Sequence, residues 1–208
     1  DDCWAIVEEK ERSGKYYLLL EQCVYGEANL MILNMVKHGL FGETYAAECS
    51  YIHDVKIGRD GKSRLVEADQ TLSWRGRLAA EGHGSSYPAH GIASPAKWMG
   101  INDGDRFEYC LAMMSEPREI HAQVVEQFGR DSAAAKIPFQ TGDFLSTLIK
   151  TAKGKMIRLD YSLSNTRPYS RYYLLQGTGG CFDSRTGLFI KGVSKEPSPG
   201  YGAWEPVE

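Results

Sequence analysis

Tyr87 and His90 stand three residues apart across Pro88, in the stretch Ser85-Ser86-Tyr87-Pro88-Ala89-His90-Gly91. Proline fixes its own φ and pushes the residue before it out of the α region, which makes Tyr87 a loop residue. His90 then falls in the first turn of an apolar segment that runs on to Trp98 and Met99. A rigid loop therefore hands an imidazole to a helix start, and both side chains can aim at one point. Imidazole titrates near neutrality and a phenol can share a proton with it, a combination suited to moving a proton to or from a sugar or alcohol hydroxyl. A capped helix with a structural histidine has the same sequence, so the neighbouring candidates decide between the two.

Three of them carry polar groups where a site needs them. Glu21 follows the apolar run Tyr16-Tyr17-Leu18-Leu19-Leu20, at the carboxyl end of an expected strand, the edge where open α/β sheets place ligands; otherwise it is a solvated strand-end glutamate. Residues 43–54 alternate as a strand, with Tyr45, Ala47, Cys49 and Tyr51 on one face. A buried phenol needs a partner, so Tyr51 is either a satisfied core tyrosine or a site tyrosine. Arg75 and Arg77 are two apart and cannot share a helix face. One of them points inward, where a guanidinium suits multidentate bonding to sugar oxygens or an acetamido carbonyl; the other reading is a surface ion pair.

The elements that must position these groups follow from periodicity. Residues 2–13 pattern as a helix stopped by Ser13-Gly14, and residues 16–20 as a short buried strand. Residues 26–38 form a helix with Leu30, Leu33 and Val36 on its stripe beside Met31 and Met35, closed by Gly39. Residues 55–70 are a polar loop with no visible chemistry. Asn102-Asp103-Gly104-Asp105 turns into a strand over residues 106–114, and Glu116-Pro117 opens a helix ending near Gly129. After a polar linker holding Ala133-Ala134-Ala135, strands over 143–152 and 155–164 meet at a Lys153-Gly154 hairpin. Residues 170–176 and 188–190 are further strands, with Gly177-Thr178-Gly179-Gly180 a turn rather than a phosphate cradle. The tail 197–208 is irregular, with Trp204 available to dock. Strands joined by short turns predict an α+β fold, an open mixed and mainly antiparallel sheet with helices on one face.

Composition narrows the partner. The 208 residues are 42% hydrophobic, enough for one substantial core. A net charge of -3 predicts neither a nucleic-acid footprint nor a polybasic membrane anchor, which points to a small molecule. No apolar run approaches the roughly 18 residues needed to span a bilayer, and no basic-then-apolar leader opens the chain. Cys3, Cys23, Cys49, Cys110 and Cys181 are scattered singly and read as buried thiols. A metal site from His53, Asp54, His83 and His90 lacks tight ligand spacing.

Five motifs then occur in order: Glu21-Gln22-Cys23-Val24-Tyr25-Gly26; Gly42-Glu43 through Tyr51-Ile52-His53-Asp54; Tyr87-Pro88-Ala89-His90-Gly91; Asn102-Asp103-Gly104-Asp105-Arg106-Phe107; and Arg167-Pro168-Tyr169-Ser170-Arg171. Together they resemble glycoside hydrolase family 109, the α-N-acetylgalactosaminidase-like branch of the Gfo/Idh/MocA oxidoreductase superfamily. The resemblance implies an enzyme that uses NAD to oxidise a glycoside transiently at carbon 3, eliminate the anomeric group, add water and return the hydride. It implies His90 with Tyr87 at the carbon 3 hydroxyl, Tyr51 at the carbon 2 proton, and Glu21, Arg75 and Tyr169 orienting the sugar. It also implies that residues 1–25 close a dinucleotide-binding Rossmann domain lying mostly before residue 1, that residues 26–196 form the substrate domain and that 197–208 form a tail. Departures are Gln22 and Val24 for Asn and Cys, Ala89 for Thr, and Gly179 for Lys. Within the superfamily a sugar dehydrogenase is the other enzymatic reading. A non-catalytic module that forms homo-oligomers through its sheet face is the reading from another class.

Overall fold

A computed structural model describes residues 2–207. Its centre is a seven-stranded sheet with strands β1 (Thr44–Ile52), β2 (Phe107–Met114), β3 (Leu145–Thr151), β4 (Met156–Ser162), β5 (Tyr173–Gly177), β6 (Gly180–Asp183) and β7 (Gly187–Ile190) in the order β2-β3-β4-β1-β5-β6-β7. Only β1 and β4 run parallel; all other neighbours are antiparallel. This is the mixed, mainly antiparallel α+β sheet expected from the strand spacing, with its hairpin at Gly154 in a left-handed conformation (φ 82°).

Helices α2 (Glu27–Lys37) and α4 (Pro88–Trp98) cover one face. Ile32, Trp98 and Met99 meet Ala47, Cys49, Ile157, Leu159, Leu175 and Phe182 there. The face of α2 that packs is centred on Ile32, fully buried, whereas Leu30 and Met31 from the expected stripe are exposed. A second apolar cluster joins α3 (Trp74–Glu81), α5 (Arg118–Phe128) and the 3-10 turn Ala134–Lys136. It corrects two expectations: Leu65 and Val66 from the polar 55–70 stretch, and Ala134 and Ala135 from the supposed linker, are core residues.

Helix α1 (Asp2–Ser13) buries no side chain and stops at Gly14 (φ 63°). Residues 16–20 are not a buried strand: they are exposed and form no ladder, because among the described residues nothing pairs with them. The cysteines also depart from expectation. Only Cys49 is buried, while Cys3 and Cys110 are exposed, Cys110 because β2 is an edge strand that no helix covers. The tail is irregular, but Glu205 bridges to Leu188 in β7, and half-exposed Trp204 lines a cavity of about 350 Å³ with Tyr45 and Lys191. Tyr45 leaves the face of Ala47 and Cys49 because a register shift between Thr44 and Ala46 rotates it outward. No helix among the described residues is long and apolar enough to cross a membrane.

Candidate functional site

Helix α4 places His90 by coming very close to the sheet. Pro88 occupies its first turn, and Tyr87 caps it with non-helical φ and ψ of -134° and 49°. A Cβ on Gly91 would lie 2.5 Å from Leu159 Cδ1 and 3.6 Å from Tyr51 N, so the helix start rests directly on β1 and β4 and a larger residue would have to push the Leu159 side chain aside. The Tyr173 hydroxyl donates to the His90 carbonyl at 3.0 Å and pins the same turn. Upstream, Ser86 bonds the Tyr161 hydroxyl through its backbone N–H at 3.3 Å and its own hydroxyl at 2.7 Å, which ties the loop before Tyr87 to the end of β4.

The rings of Tyr51, Tyr87 and His90 gather around this contact. His90 lies 4.8 Å from Tyr51, centroid to centroid, and stacks on Tyr87 at 5.6 Å with planes 8° apart. No hydrogen bond joins the Tyr87 phenol to the His90 imidazole, in contrast to the shared proton expected from their spacing; the two rings lie in a parallel stack instead. Tyr169 stands edge-on to Tyr51 at 6.3 Å and remains half-exposed.

Glu21 reaches His90 from the segment before the 3-10 turn Gln22–Tyr25. Its carboxylate oxygens lie 2.8 and 3.0 Å from His90 Nδ1, and it also accepts from the Cys23 backbone N–H at 3.2 Å. Glu21, expected to orient a sugar, holds the imidazole, and its carboxylate keeps acceptor capacity beyond these two donors. An ionised carboxylate only accepts, so Nδ1 carries a proton and Nε2 is the ring nitrogen not engaged by Glu21. That is the orientation of a general base held by a carboxylate.

The Tyr51 hydroxyl bonds His53 Nδ1 at 2.8 Å. Burial, reinforced by the neighbouring phenols Tyr169 and Tyr87, pushes the Tyr51 phenol up to about 12. Burial pulls the His53 imidazole below its ordinary value; Asp54 opposes this, while Arg64 and His90 reinforce it. Tyr169 is raised too, by burial and then by the Glu21 charge.

Arg75 lies one step further out. It stacks its guanidinium 4.1 Å over Trp74, whose ring lies 6.5 Å from Tyr87, and lines a small cavity of about 30 Å³ with Ser86, Tyr87 and Tyr161. Its Nε is buried without a partner, an unspent donor beside the tyrosine-histidine cluster.

His53 and Arg171 belong to the cluster although residue type and spacing did not single them out for it. The Arg171 guanidinium sits 5.2 Å over Tyr51 and 5.6 Å over Tyr169 and contacts Cys23 Sγ. Both were reachable by the period-two rule, His53 two residues after Tyr51 and Arg171 two after Tyr169.

Among the described residues, Glu21, Cys23 and His90 are the one group of metal-binding donors within 4.8 Å of one another. A cation there would meet the Arg171 charge at Cys23. The set His53, Asp54, His83 and His90 does not converge, Asp54 being paired with Lys56 at 2.7 Å. The glycine turn after β5 packs closely on one side, since a Cβ would lie 2.8 Å from the Leu40 carbonyl oxygen at Gly179 and 2.4 Å from Ile190 Cδ1 at Gly180, and its other side lines the cavity shared with Tyr45, Lys191 and Trp204.

Comparison with known proteins adds three findings. Residues 25–206 match the family profile described as "Glycosyl hydrolase 109, C-terminal domain". A glycosyl hydrolase family 109 protein of Shewanella pealeana is 39% identical over 186 residues, covering 88% of this chain and 39% of the relative, so the chain spans about two fifths of that protein's length. Among solved structures, an NAD binding oxidoreductase from Klebsiella pneumoniae superposes with a TM-score of 0.63 at 14% identity, over 90% of this chain and 46% of that one. A levoglucosan dehydrogenase in complex with NADH and levoglucosan does so with a TM-score of 0.52 at 18% identity, over 79% and 40%. At these identities the structural likeness concerns the fold.

Proposed function

Because this chain belongs to glycosyl hydrolase family 109, whose C-terminal domain it carries, we propose that its tyrosine-histidine cluster is the sugar-handling half of an NAD-dependent glycosidase acting on N-acetylgalactosaminides or related glycosides. The observation that carries this reading is the commitment of Glu21 to His90. A carboxylate glycosidase needs two carboxyl groups free to flank the scissile bond. In this cluster the carboxylate is engaged, and imidazole, phenols and guanidinium remain. Such a donor set fits proton transfer beside a hydride acceptor.

When bound, NAD would supply the hydride acceptor for carbon 3 and the donor for its return. It would be held mainly by a dinucleotide-binding domain, to which we assign residues 1–25 as the closing part. Within the chain, His90 Nε2 takes the carbon 3 hydroxyl proton, with the Tyr87 phenol beside it as hydrogen-bond partner to the same oxygen. Glu21 steadies the imidazolium that forms. Oxidation at carbon 3 acidifies carbon 2, whose proton the Tyr51 oxygen receives. The electron pair left behind expels the anomeric group, water adds, and the steps reverse. Arg75, with its unspent Nε, and Tyr169 orient the sugar.

A sugar dehydrogenase with the same residues would release the oxidised sugar and consume the cofactor. The full-length protein is therefore expected to hydrolyse aryl glycosides of both anomeric configurations with no net turnover of added NAD. Accumulation of a keto sugar with stoichiometric cofactor reduction would establish the dehydrogenase instead.

We further propose that the helix-free sheet face pairs with a second copy. Tyr109, Leu111 and Met113 of β2 stand there beside Leu148 and Met156, all exposed, next to a charged band in which Arg158 pairs with Glu48 and Asp160. Met113→Lys with Leu111→Lys is expected to convert a dimer to a monomer in sedimentation while leaving hydrolysis in place. A wild-type monomer at micromolar concentration would refute the pairing.

A further inference from the structure

We propose that His53 is the proton reservoir for Tyr51: when the Tyr51 oxygen takes a proton from substrate carbon, the phenol's own proton passes to His53 Nδ1. The inference rests on the reading of Tyr51 given above and deepens it. Tyr51 and His53 are on the same face of one strand end, their polar atoms 2.8 Å apart, and the rings meet edge-on at 5.6 Å. Tyr169 closes the other side of the imidazole, edge-on at 5.0 Å. The phenol thus has one basic neighbour within hydrogen-bond reach, and that neighbour is held in place by aromatic walls.

The bond has a definite direction. With the phenol protonated at neutral pH, its hydroxyl donates and Nδ1 accepts, so His53 carries its proton on Nε2. A phenol held up to about 12 leaves on the order of one molecule in 10⁵ as phenolate at pH 7, too few for a free base of useful rate. Concerted transfer removes the difficulty. The carbon 2–hydrogen bond breaks and an oxygen–hydrogen bond forms on Tyr51. The old hydroxyl bond breaks as a nitrogen–hydrogen bond forms at His53, and the carbon electron pair delocalises into the carbon 3 ketone. The imidazolium meets Asp54, which favours it, and Arg64 and His90, which oppose it; the Arg171 guanidinium over Tyr51 and Tyr169 favours negative charge on the phenol oxygens. His53 acts through Tyr51 and is a positioning and proton-holding residue.

The sign of the pH dependence follows. Only neutral His53 accepts, and burial lowers its titration, so the carbon 2 step switches on as pH rises through a value below the usual 6.5 and is level above it.

His53→Gln in the full-length protein separates roles, since the amide oxygen can accept the Tyr51 hydrogen bond but not its proton. Exchange of the carbon 2 proton with solvent is expected to fall about 100-fold and lose its acid limb, with KM and carbon 3 oxidation within about threefold of wild type. Exchange retained within threefold overturns the relay while leaving the family reading intact. A wild-type enzyme with no exchange at all overturns the reading itself. Independently of activity, ¹⁵N NMR of this chain is expected to show His53 as the Nε2–H tautomer, titrating below 6.5, with its Nδ1 signal moved by Tyr51→Phe. A protonated Nδ1, or a signal indifferent to Tyr51→Phe, would also overturn the relay.

Discussion

His90→Ala in the full-length protein is expected to lower kcat by about 100-fold or more while KM shifts by less than about tenfold. The imidazole is the group whose orientation is most fully determined: Glu21 holds Nδ1, Tyr87 stacks on one ring face, Tyr51 lies within 4.8 Å, and the backbone of the same residue is pinned by Tyr173. A side chain so constrained contributes mainly to a step whose geometry is demanding. Alanine leaves Gly91 and the close seat of α4 on the sheet untouched, so the fold should survive and the loss should fall on chemistry. Because the carbon 3 hydroxyl must lose its proton before carbon 2 becomes acidic, His90→Ala should suppress carbon 3 oxidation and carbon 2 exchange together. Steady-state kinetics with a single-turnover measurement of carbon 3 oxidation provides the check. Unchanged kcat, or a loss confined to KM, would remove His90 from the reaction.

Tyr51→Phe is expected to cost at least as much overall, about 100- to 10⁴-fold, but with a different signature. Phenylalanine keeps the ring that packs against His90, Tyr169 and the Arg171 guanidinium, and it deletes one oxygen. Carbon 3 oxidation should therefore persist while carbon 2 exchange and release of the aglycone stop. The part-buried His53 Nδ1 loses its partner in this variant, a small loss of stability that thermal unfolding would register. Full hydrolysis by Tyr51→Phe would mean that another group handles the carbon 2 proton. The order of defects, both steps lost for His90 and only the later step for Tyr51, is a stronger test than either magnitude.

What could be read from the chain alone was whatever covalent geometry and short-range period dictate. Pro88 makes Tyr87 a helix cap and puts His90 in the first turn, and alternation puts Tyr51 on the inner face of β1 with Ala47 and Cys49. The strand succession in the second half likewise implies a mostly antiparallel open sheet, as found. What could not be read depends on tertiary closeness. Glu21 and His90 are 69 residues apart, and their contact exists because α4 packs directly on β1 and β4 through its Gly91 turn. Nothing in the local pattern of Glu21 distinguishes a carboxylate that holds an imidazole from one that holds a sugar. Residues 16–20 misled in the opposite direction: an apolar run has strand propensity, but a strand exists only with a partner, and none pairs with it among the described residues. Leu65, Val66, Ala134 and Ala135 were missed for a related reason, since short apolar pairs inside polar stretches carry no period and enter a core only when α3 and α5 fold over them.

The central claim is that this site moves protons around a transient oxidation rather than protonating the glycosidic oxygen. The most direct measurement is the isotopic content of the product sugar formed by the full-length protein, with its dinucleotide, in heavy water. Removal of the carbon 2 proton to Tyr51 and its return predicts deuterium at carbon 2 of the product and none at the other non-exchangeable positions. Product with ordinary hydrogen at carbon 2, formed at the full catalytic rate, would contradict the account.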